Sequence, residues 1–193
     1  MPTSRLEAFS DGVLAIAITL LIIDVKVPDT SGSLSTALGR LWPSYLSFLI
    51  SFAIIGIIWV NHHMLIARLA VVDRPLLFLN LLLLLTVVWL PFPTALLAHY
   101  ARHGAQAHAA AAVYGASMTA IGLAFAAMWA YLVRKPGVRA ADFSETDARE
   151  GLRRTLAGPI GYTATVPLAF VSPVACLVVW AALAVYFIIP TGR

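Results

Sequence analysis

Apolar stretches long enough to cross a lipid bilayer fill most of this 193-residue chain. About 20 mainly apolar residues span the hydrocarbon core as a helix, which satisfies its backbone polar groups internally. The composition agrees, because 61% of the residues are hydrophobic and only 11% are charged, whereas soluble domains average about half and about a quarter. The chain is therefore predicted to be an all-α integral membrane protein.

Six spans are predicted, and they form one unit because no internal repeat is evident. Their expected ranges are 6–27, 42–67, 75–98, 107–133, 155–171 and 173–190. Pro91 and Pro93 are expected to kink or end the third helix near its exit. Pro159, Gly161 and Pro167 make the fifth span the most irregular.

Two polar segments between the spans carry helix-start signals. Ser33 is expected to cap a short amphipathic helix at 34–41, before the second span. Ser144 and Asp147 have the spacing of a capping box, which predicts an amphipathic surface helix before the fifth span.

Basic residues are distributed unevenly between the two sides of the predicted bundle. With the N-terminus inside, only Lys26, Arg40 and Arg102 lie outside, which leaves ten of the 13 Lys and Arg on the inner side. The positive-inside rule therefore favours both termini in the cytoplasm. No basic run interleaved with aromatic residues indicates a nucleic-acid surface. Glu7 and Asp11 interrupt the region that would be basic in a signal peptide, so cleavage is not expected.

The first span combines acidic ends with an apolar stripe. Asp11 lies near its start and Asp24 at its end, and an acid at the edge of the hydrocarbon needs a partner or a water-filled cavity. At about 100° per residue, one narrow stripe is formed by Phe9, Ile16, Leu20 and Ile23. Ser10 and Asp11 point away from this stripe. Two interpretations remain open: a packing surface with a polar helix cap, or a pore wall that gates by dewetting.

The same helix resembles the signature of the transmembrane protein 175 family, the endosomal and lysosomal potassium channels of animals and their prokaryotic relatives. The signature residues are Arg5, Phe9, Ser10 and Asp11, followed by the apolar run 12–20. The resemblance extends over the chain through Trp59, His62, His63, Asn80, Pro91 and Pro93.

This resemblance implies a potassium-permeable channel that lacks the usual potassium-filter sequence and needs no cofactor. The first helices would line a central pore, with Ile16 as the narrowest ring and Leu20 and Ile23 continuing it. Thr19 would match a hydroxyl layer linked with potassium preference. Animal members carry two six-span repeats and dimerise, so this chain would form a homotetramer in the plasma or inner membrane of a prokaryote. Because potassium sheds water more easily than sodium, we expect weak selectivity.

The signature residues Arg5, Phe9, Ser10 and Asp11 would hold the first three spans together. Their candidate partners on the second and third spans are Trp59, Asn61, His62, His63 and Asn80. For Asp24 two hypotheses stand side by side: it pairs with Lys26 or a neighbouring chain, or it forms a ring of charge at the pore mouth.

No metal site is predicted. His62 and His63 are adjacent on a helix and point about 100° apart, so they do not converge on one ion. His99 and His103 share a face, with His108 nearby, but no third ligand of certain position accompanies them. We expect these three outer histidines to be solvated rather than to bind zinc or to sense pH. The single cysteine, Cys176, is expected to serve packing.

Two alternatives to a channel remain. Intramembrane acids and proline-broken helices also occur in secondary transporters of ions or small solutes. A membrane enzyme using His62, His63 and Asp11 is the other alternative, although the chain has no nucleophile elbow, zincin pattern or phosphate-binding loop.

Overall fold

The computed structural model describes residues 3–28, 32–101 and 103–189. Within these ranges the chain is helical and forms no strands, apart from a single bridge between Leu69 and Arg139. The α-helices are α1 Thr3–Leu20, α2 Leu34–Arg40, α3 Trp42–Ile66, α4 Arg74–Val88, α5 Pro91–Tyr100, α6 Ala105–Arg134, α7 Glu145–Val171 and α8 Pro173–Ile188. A 3-10 turn, Leu21–Asp24, extends α1. Arg102, Arg193 and the end of the predicted sixth span lie outside the described residues.

Among the described residues, four segments are long and apolar enough to cross a membrane: Thr3–Asp24, Trp42–Ile66, Arg74–Tyr100 and Ala105–Arg134. They correspond to the first four predicted spans, and they make this a multi-pass membrane protein. The last apolar helix, α8, is shorter, with 16 residues. In α7 the first turns are charged, so its apolar part is confined to the second half.

The third membrane segment is divided where its prolines lie. The first helix of the pair, α4, ends at Val88, and α5 begins at Pro91. Proline has no backbone N–H to continue the helical ladder, so it is favoured at a helix start. In α5, the Thr94 hydroxyl donates back to the Leu90 carbonyl at 2.8 Å and stabilises the new first turn.

The segment before the fifth predicted span differs from the expectation. We predicted a separate surface helix there, but α7 is continuous from Glu145 to Val171 and contains Pro159 and Pro167. Its start is the predicted capping box: Asp147 N–H donates to Ser144 Oγ at 3.1 Å, and Ser144 N–H donates to the Asp147 carboxylate at 3.2 Å.

Packing against α6 explains why α7 stays helical through its prolines. A Cβ atom at Gly122 of α6 would lie 2.8 Å from Cδ of Pro159, so the backbone of α6 rests directly on the proline ring. A second close approach joins Gly115 to Thr165. Small residues allow this kind of helix contact in membranes, and here it supports the segment where the local sequence favours a break.

The short helix α2 has the expected position but not the expected cap. Ser33 occupies the N-cap position of Leu34–Arg40, yet its hydroxyl lies 2.7 Å from the Ser35 hydroxyl and makes no hydrogen bond to the helix backbone. The prediction that the Ser33 side chain caps α2 is therefore wrong, because the hydroxyls of Ser33 and Ser35 pair with each other instead.

Buried hydroxyl groups connect the middle of the bundle. Ser51 of α3 contacts the hydroxyls of Thr94 and Tyr114 at 2.8 and 3.0 Å. In the other half, Trp180 Nε1 donates to Thr165 Oγ1 at 3.1 Å. Cys176 is buried and free, and its thiol donates to the Thr165 carbonyl. Polar groups inside a bilayer must pair with one another in this way.

Candidate functional site

The pore-helix candidate α1 has one face buried in the protein and another exposed on its surface. Residues spaced three or four apart form the buried face, which packs on α3 and α4: Leu6, Ser10, Leu14 and Ala17, continued by Leu21. The stripe predicted from the sequence lies on the exposed face, with exposed fractions of 54% for Phe9, 61% for Ile16, 38% for Leu20 and 67% for Ile23. The side chains proposed to line a pore thus lie on the surface of this chain, with Leu20 the most covered of the four.

A hydroxyl and a carboxylate accompany the stripe. Thr19 is exposed, and its hydroxyl donates to the Ile16 carbonyl at 2.9 Å, so its oxygen lone pairs remain available. Asp24 is half-buried and lines a cavity of about 390 Å³ together with Lys26, His99 and Tyr100. Within the described residues Asp24 and Lys26 form no ion pair, so the hypothesis that these two side chains pair is not supported.

The buried face of α1 is held by a directed chain of hydrogen bonds. Asn80 Nδ2 of α4 donates to Ser10 Oγ at 3.0 Å, and Ser10 donates in turn to the Leu6 carbonyl at 2.8 Å. The amide oxygen of Asn80, Oδ1, lies 2.7 Å from His62 Nε2 of α3. Because an amide oxygen only accepts, His62 must carry its proton on Nε2. Ser10, His62 and Asn80 are all fully buried.

A second set of bonds joins α1 to α3 nearer the surface. Trp59 Nε1 donates to Asp11 Oδ1 at 2.8 Å, so the acid that opens the first span has a partner. One turn earlier, Glu7 contacts His63 Nδ1 at 2.6 Å. The sequence interpretation missed Glu7, although an acid one helical turn before Asp11 was a signal that it could face the same partner helix.

Three of the predicted network residues do not join these bonds. Arg5 is exposed and makes no hydrogen bond or ion pair among the described residues, and Phe9 lies on the exposed face. Asn61 donates to the carbonyl of Ile57 in its own helix at 2.8 Å. Asn61 points away from α1 because it lies two residues, or about 200° around the axis of α3, from each of the side chains of that helix that bond to α1.

The three histidines His99, His103 and His108 do not behave alike. The rings of His99 and His103 stack with their centroids 5.8 Å apart and an interplanar angle of 8°. The third, His108, is half-buried, and its Nδ1 lies 2.7 Å from the Ala169 carbonyl, where it ties α6 to α7. The expectation that His108 is solvated is therefore wrong. Among the described residues no group of three or more His, Cys, Asp or Glu could hold a metal ion.

A further polar cluster, which the sequence interpretation did not identify, joins the start of α4 to the end of α6. Asp73 caps α4 by accepting from Leu76 N–H at 3.2 Å, and it also accepts from the Tyr131 hydroxyl at 2.5 Å and from Lys135 Nζ at 2.9 Å. Burial alone would raise the pKa of the Asp73 carboxyl, but the hydrogen bonds from Tyr131 and Lys135 outweigh it and hold the pKa below its ordinary value.

Known proteins are similar to this chain over nearly its whole length. A family model described as "Endosomal/lysosomal potassium channel TMEM175" matches residues 5–91. A potassium channel of Streptomyces collinus is 49% identical over 187 residues, which cover 96% of this chain and 91% of that protein. One from Chamaesiphon minutus is 44% identical over 192 residues, covering 96% and 93%. The crystal structure of a lysosomal potassium-selective channel TMEM175 homolog from Chamaesiphon minutus matches with a TM-score of 0.87, 40% identity and 96% coverage of each chain.

Proposed function

The chain belongs to the TMEM175 family of ion channels, and from this premise we propose that it is a potassium-permeable, weakly selective cation channel. The channel is a homotetramer in the plasma or inner membrane of a prokaryote, and α1 of each subunit lines the central pore. Family membership also removes the membrane-enzyme alternative, because the family comprises channels.

The observation that carries this proposal is the contrast between the two faces of α1. Hydrogen bonds from α3 and α4 hold its buried face, while the opposite stripe stays exposed at Ile16 and Ile23. Four such stripes around one axis form successive aliphatic rings. A narrow aliphatic ring excludes water when closed, which is the dewetting type of gate.

Six spans per subunit complete the proposed architecture. The apolar half of α7 supplies the fifth span and α8 the sixth, with Ser172 between them capping α8 through a 3.2 Å bond from Ala175 N–H. Both termini then lie in the cytoplasm, on the side that carries most of the basic residues.

Selectivity in the proposed pore comes from dehydration rather than from a carbonyl cage. An ion that passes the Ile16 ring loses part of its water, and this costs potassium less than sodium. Thr19 follows one turn later with an available hydroxyl oxygen. Four Asp24 carboxylates at the mouth would raise the local cation concentration. The resulting preference for potassium is small because no group in this path replaces the whole hydration shell.

The decisive experiment measures potassium flux into liposomes for wild type and for Ile16→Asn. We expect faster flux in the variant, because an amide at the narrowest ring keeps the constriction hydrated. The matched control is Ile22→Asn, the same change at a residue of similar exposure, 52%, that lies off the stripe; its flux should equal that of wild type. Equal flux for Ile16→Asn and wild type would show that Ile16 does not form the constriction.

Single-channel recording and reversal potentials test the remaining parts of the proposal. Discrete current steps without a coupling ion are expected from a channel, whereas a strictly coupled flux would favour the transporter alternative. Under opposing potassium and sodium gradients the reversal potential should shift modestly toward that of potassium. No shift at all would contradict weak selectivity.

A further inference from the structure

Two adjoining cavities lie between α3, α6, α7 and α8. The first, the charged cavity, has a volume of about 320 Å³ and is lined by Arg68, Asp142, Glu150 and Arg154, among others. The second, the apolar cavity, has a volume of about 80 Å³ and is lined mainly by aliphatic and aromatic side chains such as Ile54, Ile58, Met118 and Phe125. Asn61, Thr155 and Phe187 line both, so the two cavities adjoin at these side chains.

The two cavities lie at the depths of a lipid headgroup and a lipid chain. Along α3 the lining runs from Met64, in the charged cavity near the helix end, to Ile54 in the apolar cavity. Ten residues at 1.5 Å each correspond to about 15 Å, or roughly the hydrocarbon depth of one leaflet. The charged cavity is therefore level with the membrane interface, and the apolar cavity extends into the bilayer core.

Charges of both signs face the first cavity, where Arg68 interacts with the charge of another lining residue, Asp147. Within the described residues, Asp142 and Glu150 make no hydrogen bond or ion pair. Arg68 lies over the Phe143 ring at 5.3 Å rather than on a carboxylate. Arg68, Asp142 and Glu150 are exposed, so a ligand that carries charges of both signs can reach them and form charge-assisted hydrogen bonds with them.

Arg154 supplies the most specific observation. One nitrogen of its guanidinium donates to the carbonyls of Tyr186 and Ile189, which anchors the side chain to the end of α8. Its Nε is buried and has no hydrogen-bond partner among the described residues. A buried guanidinium N–H without a partner is costly, so Arg154 stands at the wall of the charged cavity with hydrogen-bonding capacity that the described residues do not use.

We propose that the two cavities hold one phosphatidylethanolamine molecule. Its phosphate accepts from Arg154 and Arg68, since guanidinium N–H groups match phosphate oxygens. Its primary ammonium donates to Asp142 and Glu150, and part of one acyl chain enters the apolar cavity. An anionic lipid would leave both carboxylates facing a negative headgroup. A choline headgroup has no N–H to donate to them. This site is independent of how ions cross the protein.

The experiment is native mass spectrometry of the whole protein in detergent, supplied with equimolar phosphatidylethanolamine and phosphatidylcholine of identical chains. We expect retained phosphatidylethanolamine to exceed phosphatidylcholine about tenfold, the ratio that one charge-assisted hydrogen bond supports. Asp142→Asn combined with Glu150→Gln should abolish this preference. Arg154→Gln should lower the retention of both lipids.

Matched controls make the same changes outside the cavities. Glu145→Gln removes an acid that pairs with Arg149 on the exposed start of α7, and Arg153→Gln removes an exposed neighbour of Arg154 that does not line either cavity. Both controls should retain the wild-type preference. Equal retention of the two lipids by wild type, or loss of the preference in the controls, would overturn the proposal.

Two further arms identify the source of the ligand. An equimolar anionic phosphatidylglycerol should not displace the bound lipid, and preferential retention of phosphatidylglycerol would overturn the proposed role of Asp142 and Glu150. Water-soluble glycerophosphoethanolamine should not displace it either, because it lacks the acyl chain. If it does displace the lipid at equal concentration, the site binds a soluble zwitterion and the proposal fails.

Discussion

The two halves of the bundle are held together by different kinds of contact. In the first half, α1 is fastened to α3 and α4 by directional bonds through Asp11, Ser10 and Asn80. In the second half, α6 and α7 approach closely at Gly122 and Gly115, and this packing supplements the hydrogen bond between His108 and the Ala169 carbonyl. Directional bonds set the rotation of a helix about its axis, whereas glycine contacts set the distance between helices. A helix that presents one particular stripe needs the first kind.

The largest expected effect comes from removing the amide at the centre of the polar half. Asn80→Leu removes the acceptor of His62 Nε2 and the donor to Ser10 Oγ, while the bond from Ser10 to the Leu6 carbonyl remains. Each unsatisfied buried group costs about 1–3 kcal/mol, so we expect a loss of about 2–5 kcal/mol in the free energy of unfolding. Thermal unfolding in detergent measures this change. Leu79→Ala, at a partly buried apolar neighbour, is the comparison, and an equal or larger loss there would contradict the special role of the amide.

The second prediction addresses the glycine half. Gly122→Leu places side-chain atoms where Pro159 already lies, with the first carbon 2.8 Å from Cδ. Overpacking of this kind costs about 1–3 kcal/mol. Gly56→Leu is the matched control, because a Cβ at Gly56 meets nothing within 4 Å. Equal melting temperatures for the two variants would show that the α6–α7 approach is not tight.

The third prediction concerns the more exposed bond of the polar half. Asp11→Leu removes the acceptor of the Trp59 indole, and we expect a loss of about 1 kcal/mol, since a hydrogen bond near the surface contributes modestly. Trp59→Phe should cause a similar loss, and the double variant should lose no more than either alone. Full additivity in this double-mutant cycle would mean that the two side chains are not coupled.

The smallest expected effect is a pH dependence at Asp73. The folded state lowers the pKa of this carboxyl from 3.8, so its stabilising contribution is present above that value and is lost as the pH falls through the lower, folded-state pKa. The melting temperature should therefore decline below about pH 4. Asp73→Asn should reduce the steepness of that decline. An unchanged pH profile for Asp73→Asn would exclude this carboxyl as a contributor.

The family and the organisation of α1 were predictable because their signals are local. The signature at Arg5, Phe9, Ser10 and Asp11 identified the family, and this prediction is confirmed by the Streptomyces collinus relative at 49% identity over 96% of the chain. A helical wheel also placed Ile16 and Asp11 on different faces, since the geometry of one helix depends only on spacing. The pore role of Ile16, Thr19 and Asp24 stays a prediction.

The contacts between helices were predictable only as candidates. The sequence narrowed the partners of Asp11 to Trp59, Asn61, His62, His63 or Asn80, and the structure selects Trp59. It could not identify the bond of Tyr131 to Asp73, because these residues are 58 positions apart and neither belongs to a recognisable motif. The expectation for His108 was wrong for the same reason. Its partner is the backbone carbonyl of Ala169, which lies 61 positions later in the sequence.

By itself, the sequence determined that this protein is a helical membrane protein of the TMEM175 family, because hydropathy and a contiguous motif are properties of neighbouring residues. Tertiary structure decided that α7 continues through Pro159, that Glu7 meets His63, and that Arg68 and Glu150 face one cavity without pairing. These features depend on the distance and rotation between helices. Local propensity carries no information about either quantity, and packing sets both.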